Sequence, residues 1–238
     1  MEEEFSQKIK AYAKEINILL DDEQISQFYQ YMQILLEWNE KINLTAITKQ
    51  EEIILKHFID SITIANYIPA NAKLVDVGTG AGFPGIPLKI IRRDIEITLL
   101  DSLNKRINFL KEVIEKLSLK KIQAIHARVE EIGQNKSYRE SFDVATSRAV
   151  ANLATLSEYL IPLVRLDGIC ISMKGSEIEE EIKQGQKAIS VLGGIVEKVD
   201  SFQLPQTNMD RNLIILRKVK KTPSKYPRKA GTPAKEPI

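Results

Sequence analysis

Residues 74–85 read LVDVGTGAGFPG, a short strand-like run that breaks into glycines at 78, 80 and 82 and then a proline. A strand ending this way and leading into a helical pattern is the opening unit of a doubly wound sheet. The first strand-to-helix turn of such a sheet lies beyond the carboxyl end of the strand, where the backbone comes nearest a ligand. Glycine there permits positive φ and removes the Cβ that would hold a ligand away, and free N–H groups at the helix start remain available. The glycines alone leave the ligand open, because Gly80-x-Gly82-x-x-Gly85 also matches the dinucleotide pattern.

The texture around the loop supports that frame. KLVDV, IEITLLD, KIQAIHA, SFDVATS and GICISM alternate with amphipathic segments such as LNKRINFLKEVIEKL. Alternation of this kind predicts parallel strands with crossover helices on both faces. GGIVEKVDSFQL and RNLIILRKV follow without a helix between them, so an antiparallel pair is expected at one edge of a seven-stranded, mostly parallel sheet. Upstream, Ile25, Phe28, Met32, Leu35 and Leu36 share one helical stripe, with Asp21 or Asp22 as its cap. Ile54, Leu55, Phe58, Ile62 and Ala65 continue the helical pattern until Pro69 and Asn71. The expected division is a helical amino-terminal lobe at 1–70, an α/β domain at 71–219 and a basic tail at 220–238.

Composition narrows the class. A chain of 238 residues, 43% apolar, can bury one core of ordinary size. No run reaches the roughly eighteen uncharged apolar residues of a membrane span, and MEEEF is acidic where a signal peptide is basic. A soluble, cytoplasmic and monomeric protein without membrane contact is expected. The single cysteine, Cys170, excludes a disulfide framework and reads as a buried strand thiol. The net charge of +2 hides a gradient: six basic and twelve acidic residues in 1–70, twenty and nineteen in 71–216, eight and one in 217–238. Arg217, Lys218, Lys220, Lys221, Lys225, Arg228, Lys229 and Lys235 meet no acidic neighbour until Glu236. Such a run suits nucleic-acid phosphate, or is simply a solvated end.

Particular side chains carry the chemistry. Asp76 stands before Gly78, where a carboxylate can organise the loop and face the ammonium group of S-adenosylmethionine, whereas it would repel a pyrophosphate. Asp101 ends the next strand and can accept both ribose hydroxyls of either ligand. Val129 and Glu130 follow the third strand, where an adenine edge is met by a backbone amide or a carboxylate. Glu130 and Glu131 serve equally as helix-start charges. Arg148 closes the fourth strand and can pair with a carboxylate or phosphate, stack on a base, or form an ordinary surface ion pair. His57 reads as a capped or core-facing histidine, and Trp38 with Asn39 as packing between the lobe and the sheet. Lys105 and Arg106 suit either phosphate contact or a charged helix face. No metal is expected. Two rivals stay open on these residues alone: a nicotinamide-dependent oxidoreductase, and a non-enzymatic RNA-binding protein that uses the tail.

EWNEKINLTAIT at 37–48, KHFIDS at 56–61, DVGTGAGFPGIPLKI at 76–90, DSLNKRINFL at 101–110, SRAVA at 147–151 and YPRKAGTPAKEPI at 226–238 together resemble the ribosomal RNA small-subunit methyltransferase G family, also called glucose-inhibited division protein B. The resemblance covers nearly the whole chain. It implies the class I S-adenosylmethionine-dependent methyltransferase fold, with methyl transfer to N7 of one guanine of 16S rRNA in the small ribosomal subunit. By position it assigns cofactor contacts to Gly78, Phe83, the Val129-Glu130 pair and Arg148, and it favours RNA contact by the basic tail. Guanine N7 carries an in-plane lone pair and no proton, so such a reaction requires positioning but no general base, and Arg148 is the leading candidate to orient base or cofactor.

Overall fold

The computed structural model describes residues 2–148, 150–175 and 178–238, so Ala149 of the SRAVA motif lies outside the described residues. Helices α1 (Glu2–Glu15) and α2 (Asp22–Asn39) open the chain. Asp21 is the cap of α2: its carboxylate accepts from the Gln24 backbone at 2.7 Å, and the Gln24 side chain accepts from the Asp21 backbone at 2.9 Å. The second apolar stripe begins as α3 (Gln50–Ile53), widens into a π-helix over Ile54–Ile59 and returns to α-helix in α4 (Asp60–Ile62).

Strands and helices then alternate as expected: β1 (Lys73–Val77), α5 (Gly85–Ile91), β2 (Glu96–Asp101), α6 (Asn104–Lys116), β3 (Ile122–His126), α7 (Val129–Gln134), β4 (Phe142–Arg148), α8 (Leu153–Leu160), β5 (Val164–Lys174), α9 (Glu179–Leu192), β6 (Gly194–Gln203) and β7 (Asp210–Lys218). The seven strands form one sheet in the order β3-β2-β1-β4-β5-β7-β6, with β7 antiparallel to both its neighbours. This is the doubly wound sheet with an antiparallel edge that the sequence predicted. The strand order reverses between β1 and β4, and the crevice above that reversal is where a doubly wound sheet receives its ligand.

Alternate strand residues divide the core between two faces. Leu74, Ile97, Leu99, Val144, Ile171 and Ile215 bury one face against α1, α2, α5, α6 and the π-helix, in a single apolar cluster with Phe5, Phe28, Tyr31 and Phe58. The amino-terminal helices therefore share one core with the sheet. Val75, Val77, Ala145, Cys170, Ile214 and Leu216 bury the other face with Leu156, Leu160, Ile189 and Tyr226. Cys170 is the buried strand thiol expected, and burial pushes its pKa up to about 12.

Residues after β7 do not form a loose solvated end. Tyr226 is buried, and the Arg139 guanidinium donates to the carbonyls of Tyr226 at 2.6 Å and Thr222 at 2.8 Å. The last helix is α10 (Thr232–Lys235), packed near α8.

Candidate active site

Gly78, Gly80 and Gly82 all have positive φ, at +67°, +60° and +94°. They differ in what they face. A Cβ on Gly78 would stand 2.6 Å from Val150 Cγ2, and Gly80 lies open with its N–H donating to Asp101 Oδ2 at 2.9 Å. At Gly82 a Cβ would meet Ile86 at 2.6 Å and the Tyr31 hydroxyl at 2.7 Å, so this glycine admits the loop onto α2 and α5 and does not face the cleft.

Asp76 lies wholly buried beneath the loop. Its Oδ2 accepts from Thr79 Oγ1 at 2.6 Å and from the Gly85 backbone at 2.9 Å, which ties the turn to the start of α5. Its Oδ1 has no partner. Burial raises the Asp76 pKa to about 6, against the opposing hydrogen bonds. The carboxylate thus holds the loop from below, and it lines neither of the two clefts above the loop.

Two clefts meet above the loop. The larger, about 440 Å³, is lined by Thr45, His57, Gly78, Gly80, Phe83 and Arg148. The smaller, about 240 Å³, is lined by Arg128, Val129, Glu130, Tyr159, Gly231 and Ala234. Gly78, Asp101, Ser102 and Val150 belong to both, so the two are one continuous groove across the ends of β1, β2 and β3. Asp101 sits at the junction, where Oδ1 accepts from the Leu103 backbone and Oδ2 from Gly80 N and, at 3.3 Å, from Arg106. Glu130 lies in the wall, but its Oε1 accepts from Gly231 N at 2.8 Å. The largest cavity, about 1040 Å³, lies between α9 and the β6–β7 edge and touches none of these residues.

On the far wall of the groove, the sequence reading assigns Phe83 and Arg148 to the cofactor but takes His57 for a core-facing histidine and passes over Asp60. The His57 ring stacks on Phe83 with centroids 4.5 Å apart, and the Arg148 guanidinium carbon lies 5.0 Å from the centroid of the same Phe83 ring. Arg148 donates to the Lys56 carbonyl at 3.0 Å and pairs with Asp60 Oδ2 at 3.2 Å, with His57 Nδ1 3.3 Å away. Asp60 Oδ1 takes a second arginine, Arg211, at 3.1 Å. Burial and the neighbouring Arg148 charge lower the His57 pKa to about 3, so the ring is neutral at physiological pH and its Nε2 meets Thr45 Oγ1 at 2.8 Å. A π turn carries one residue more than an α turn and is common at functional sites. Here the widened turn delivers the Lys56 carbonyl and His57 to one arginine. The KHFIDS spacing, His and Asp three apart on one helix face, was the available signal.

Behind Arg148 lies a third cleft of about 330 Å³, lined by Ile47, Lys56, Asp60, Lys174 and Arg211 as well as His57 and Arg148. Four cations and one carboxylate line it, and Lys56 and Lys174 also pair with Glu52 at 2.5 Å and Glu181 at 2.6 Å just outside the lining, which leaves a net of one positive charge.

The basic run separates into different roles. Lys218 is a correction: its ammonium is buried, 2.7 Å from Glu140 Oε1 and 3.0 Å from the Ile161 carbonyl, and cannot reach RNA. Strand parity held the signal, since Ile214, Leu216 and Lys218 share the buried face of β7. Arg228 is drawn inward to Glu158 at 2.7 Å, and Arg217 pairs with Glu197 at 2.7 Å. Lys220, Lys221, Lys225 and Lys229 are exposed. Trp38 packs on Phe109 of α6 and donates to Glu112 at 3.0 Å.

Comparison with known proteins decides the family. The profile described as rRNA small subunit methyltransferase G matches residues 24–214. This chain belongs to that family. The methyltransferase G of Desulforamulus reducens is 55% identical over 232 residues, covering 97% of each chain. That of Acetivibrio thermocellus is 52% identical over 227 residues, covering 95% of this chain and 93% of the relative. Among solved structures, M. jannaschii TYW2 in complex with AdoMet superposes with a TM-score of 0.52 at 14% identity, covering 66% of this chain and 72% of that one. P. horikoshii TYW2 in complex with MeSAdo gives 0.54 at 12%, covering 68% and 62%. At those identities the likeness is one of fold, and the fold is the class I methyltransferase sheet. As a methyltransferase G, the chain is an S-adenosylmethionine-dependent 16S rRNA methyltransferase, and the oxidoreductase and non-enzymatic readings fall away. No helix among the described residues is long and apolar enough to cross a membrane.

Proposed function

We propose that the groove over β1, β2 and β3 is the donor site, that the cationic cleft behind Arg148 receives the target guanine of 16S rRNA, and that the methyl group passes between them to N7. The observation that carries this reading is that Arg148 and His57 line both clefts. The groove suits the cofactor: an open glycine at Gly80 beside Gly78 in the loop, a carboxylate at Asp101 for the ribose, and the Val129-Glu130 backbone at the adenosine end. Bound there, S-adenosylmethionine supplies a methyl group activated by its sulfonium.

The residues' own work is positioning. N7 needs no proton removed, and His57, neutral with its pKa near 3, supplies none. Phe83 and His57 present a flat stacked wall, and Arg148 is fixed in one rotamer by Lys56, His57 and Asp60. The paired Asp60 and the nearby Asp76 offset the charge of Arg148, so the wall adds little repulsion toward a cationic donor. Lys56, Lys174 and Arg211, which pair with Glu52, Glu181 and Asp60, line that cleft and can exchange those partners for the phosphates that flank the guanine, and Lys220, Lys221, Lys225 and Lys229 can add diffuse attraction to the rRNA. The enzyme acts as a cytoplasmic monomer in this reading.

Labelled S-adenosylmethionine, incubated with unmodified small subunits and in parallel with protein-free 16S rRNA, tests the assignment. Label at one guanine N7 supports it, and the productive arm identifies the substrate form. Label on another atom, or transfer undiminished in Arg148→Ala, overturns it.

A further inference from the structure

The adenosine end of the groove is closed by residues far along the chain. Gly231 and Ala234 face Asp101, Val129 and Tyr159 across the smaller cleft. Gly231, at φ +83°, turns its N–H onto the buried Glu130 carboxylate at 2.8 Å. The segment that carries it is fastened at several points to α7 and α8. Arg228 grips the fully buried Glu158 through Nε and Nη2, the shorter contact being 2.7 Å, and its backbone N–H donates to the same carboxylate at 2.7 Å. Thr155 Oγ1 donates to the Pro233 carbonyl at 3.1 Å, and Gln134 to that of Pro227 at 2.8 Å. Pro227 lies so close to α7 that a Cβ on Gly133 would stand 2.6 Å from it.

Thr155, Glu158 and Tyr159 lie one helical turn or less apart on α8, so the helix that anchors the segment also lines the cleft. A buried carboxylate without its arginine is strongly unfavourable, which fixes the segment in one place. Its basic composition suggests an RNA arm, but the inward-facing groups are a glycine, an alanine and a proline carbonyl, with the arginine spent on Glu158.

We infer that residues 226–235 form a wall of the nucleoside pocket and set its affinity for the adenosine moiety, with Glu130 as a positioning residue acting through Gly231. The inference rests on the donor-site reading above. It also gives the segment two sides, since Lys229 points to solvent while Gly231 and Ala234 face the groove.

Calorimetry on the full chain with two ligands, S-adenosylhomocysteine and 5′-methylthioadenosine, tests it. Ala234 is exposed, so Ala234→Trp should leave the ligand-free melting temperature unchanged while weakening both ligands by the same factor, at least tenfold. The pair Glu158→Gln with Arg228→Gln unfastens the segment without stranding a buried charge. It should weaken both ligands and raise the KM for S-adenosylmethionine, with the KM for small subunits unchanged. Unaltered affinity in both variants overturns the inference, and so does a loss confined to S-adenosylhomocysteine, which would put the segment at the amino-acid end. A rise in the KM for small subunits alone would make it an RNA arm and likewise overturn it. Wild-type protein that binds neither ligand overturns the donor site itself, and this wall with it.

Discussion

Burial moves two titratable groups of the site in opposite directions. Asp76, raised from 3.8 to about 6, keeps a proton that the unfolded chain has released, so its contribution to stability is fully present below pH 3.8 and is lost as pH rises through 6. His57, lowered from 6.5 to about 3, cannot take the proton that the unfolded chain accepts, so its contribution is present above pH 6.5 and is lost as pH falls toward 3. The effects are on the order of 3 kcal/mol for Asp76 and 5 kcal/mol for His57 at their limits, and across pH 4–6 they oppose each other. These two contributions therefore nearly cancel there, and the wild-type curve alone does not show them. Urea unfolding of variants should separate the two: Asp76→Asn gains over wild type at pH 7.5 and loses that advantage by pH 4, whereas His57→Gln gains over wild type as the pH falls. An Asp76→Asn difference independent of pH would show that the carboxylate titrates normally.

Elements position these residues, and their own energetics can be probed away from the chemistry. Removing the α2 cap by Asp21→Ala should cost about 1 kcal/mol in chemical denaturation and leave methyl transfer unchanged. Asp60 joins the end of the π-helix to β4 and β7 through Arg148 and Arg211. Asp60→Asn strands two half-buried cations and should cost about 3 kcal/mol or more, with kcat falling further than S-adenosylhomocysteine affinity. Equal losses in both would place Asp60 in the scaffold only. Much of this level was legible beforehand: the seven strands, their order of appearance and the α2 cap follow from period and capping chemistry, which are local. The π-helix was not, because its apolar stripe at Ile54, Phe58 and Ile62 reads as an ordinary helix. His57 and Asp60 reach Arg148 across 91 and 88 residues, a contact no local pattern records. The fastening of residues 226–235 escaped for a similar reason, since it uses backbone carbonyls and distant arginines and leaves no periodicity to read.

At the scale of the molecule, the amino-terminal helices and the sheet unfold together if they share one core. Phe58 is the test position, fully buried with ring centroids 5.0 Å from Phe28 and 5.4 Å from Tyr31. Phe58→Ala should cost about 3–5 kcal/mol while calorimetry still records a single transition; two transitions would mean the lobe folds on its own. Charge acts at the same scale. Replacing Lys220, Lys221, Lys225 and Lys229 with Gln should flatten the slope of log affinity for 16S rRNA against log salt by about 3, and an unchanged slope would remove these lysines from the interface. The π turn has a consequence for inheritance. Because the widened turn absorbs one residue beyond an α-helix, losing any one residue within 54–59 would restore regular geometry and leave the flanking helices nearly in phase, while removing the widening that brings the Lys56 carbonyl and His57 to Arg148. A lineage can vary the exposed Gln206 and Asn208 of the β6–β7 turn at little cost, but a single-codon deletion within 54–59 would leave a well-formed helix and a dead enzyme.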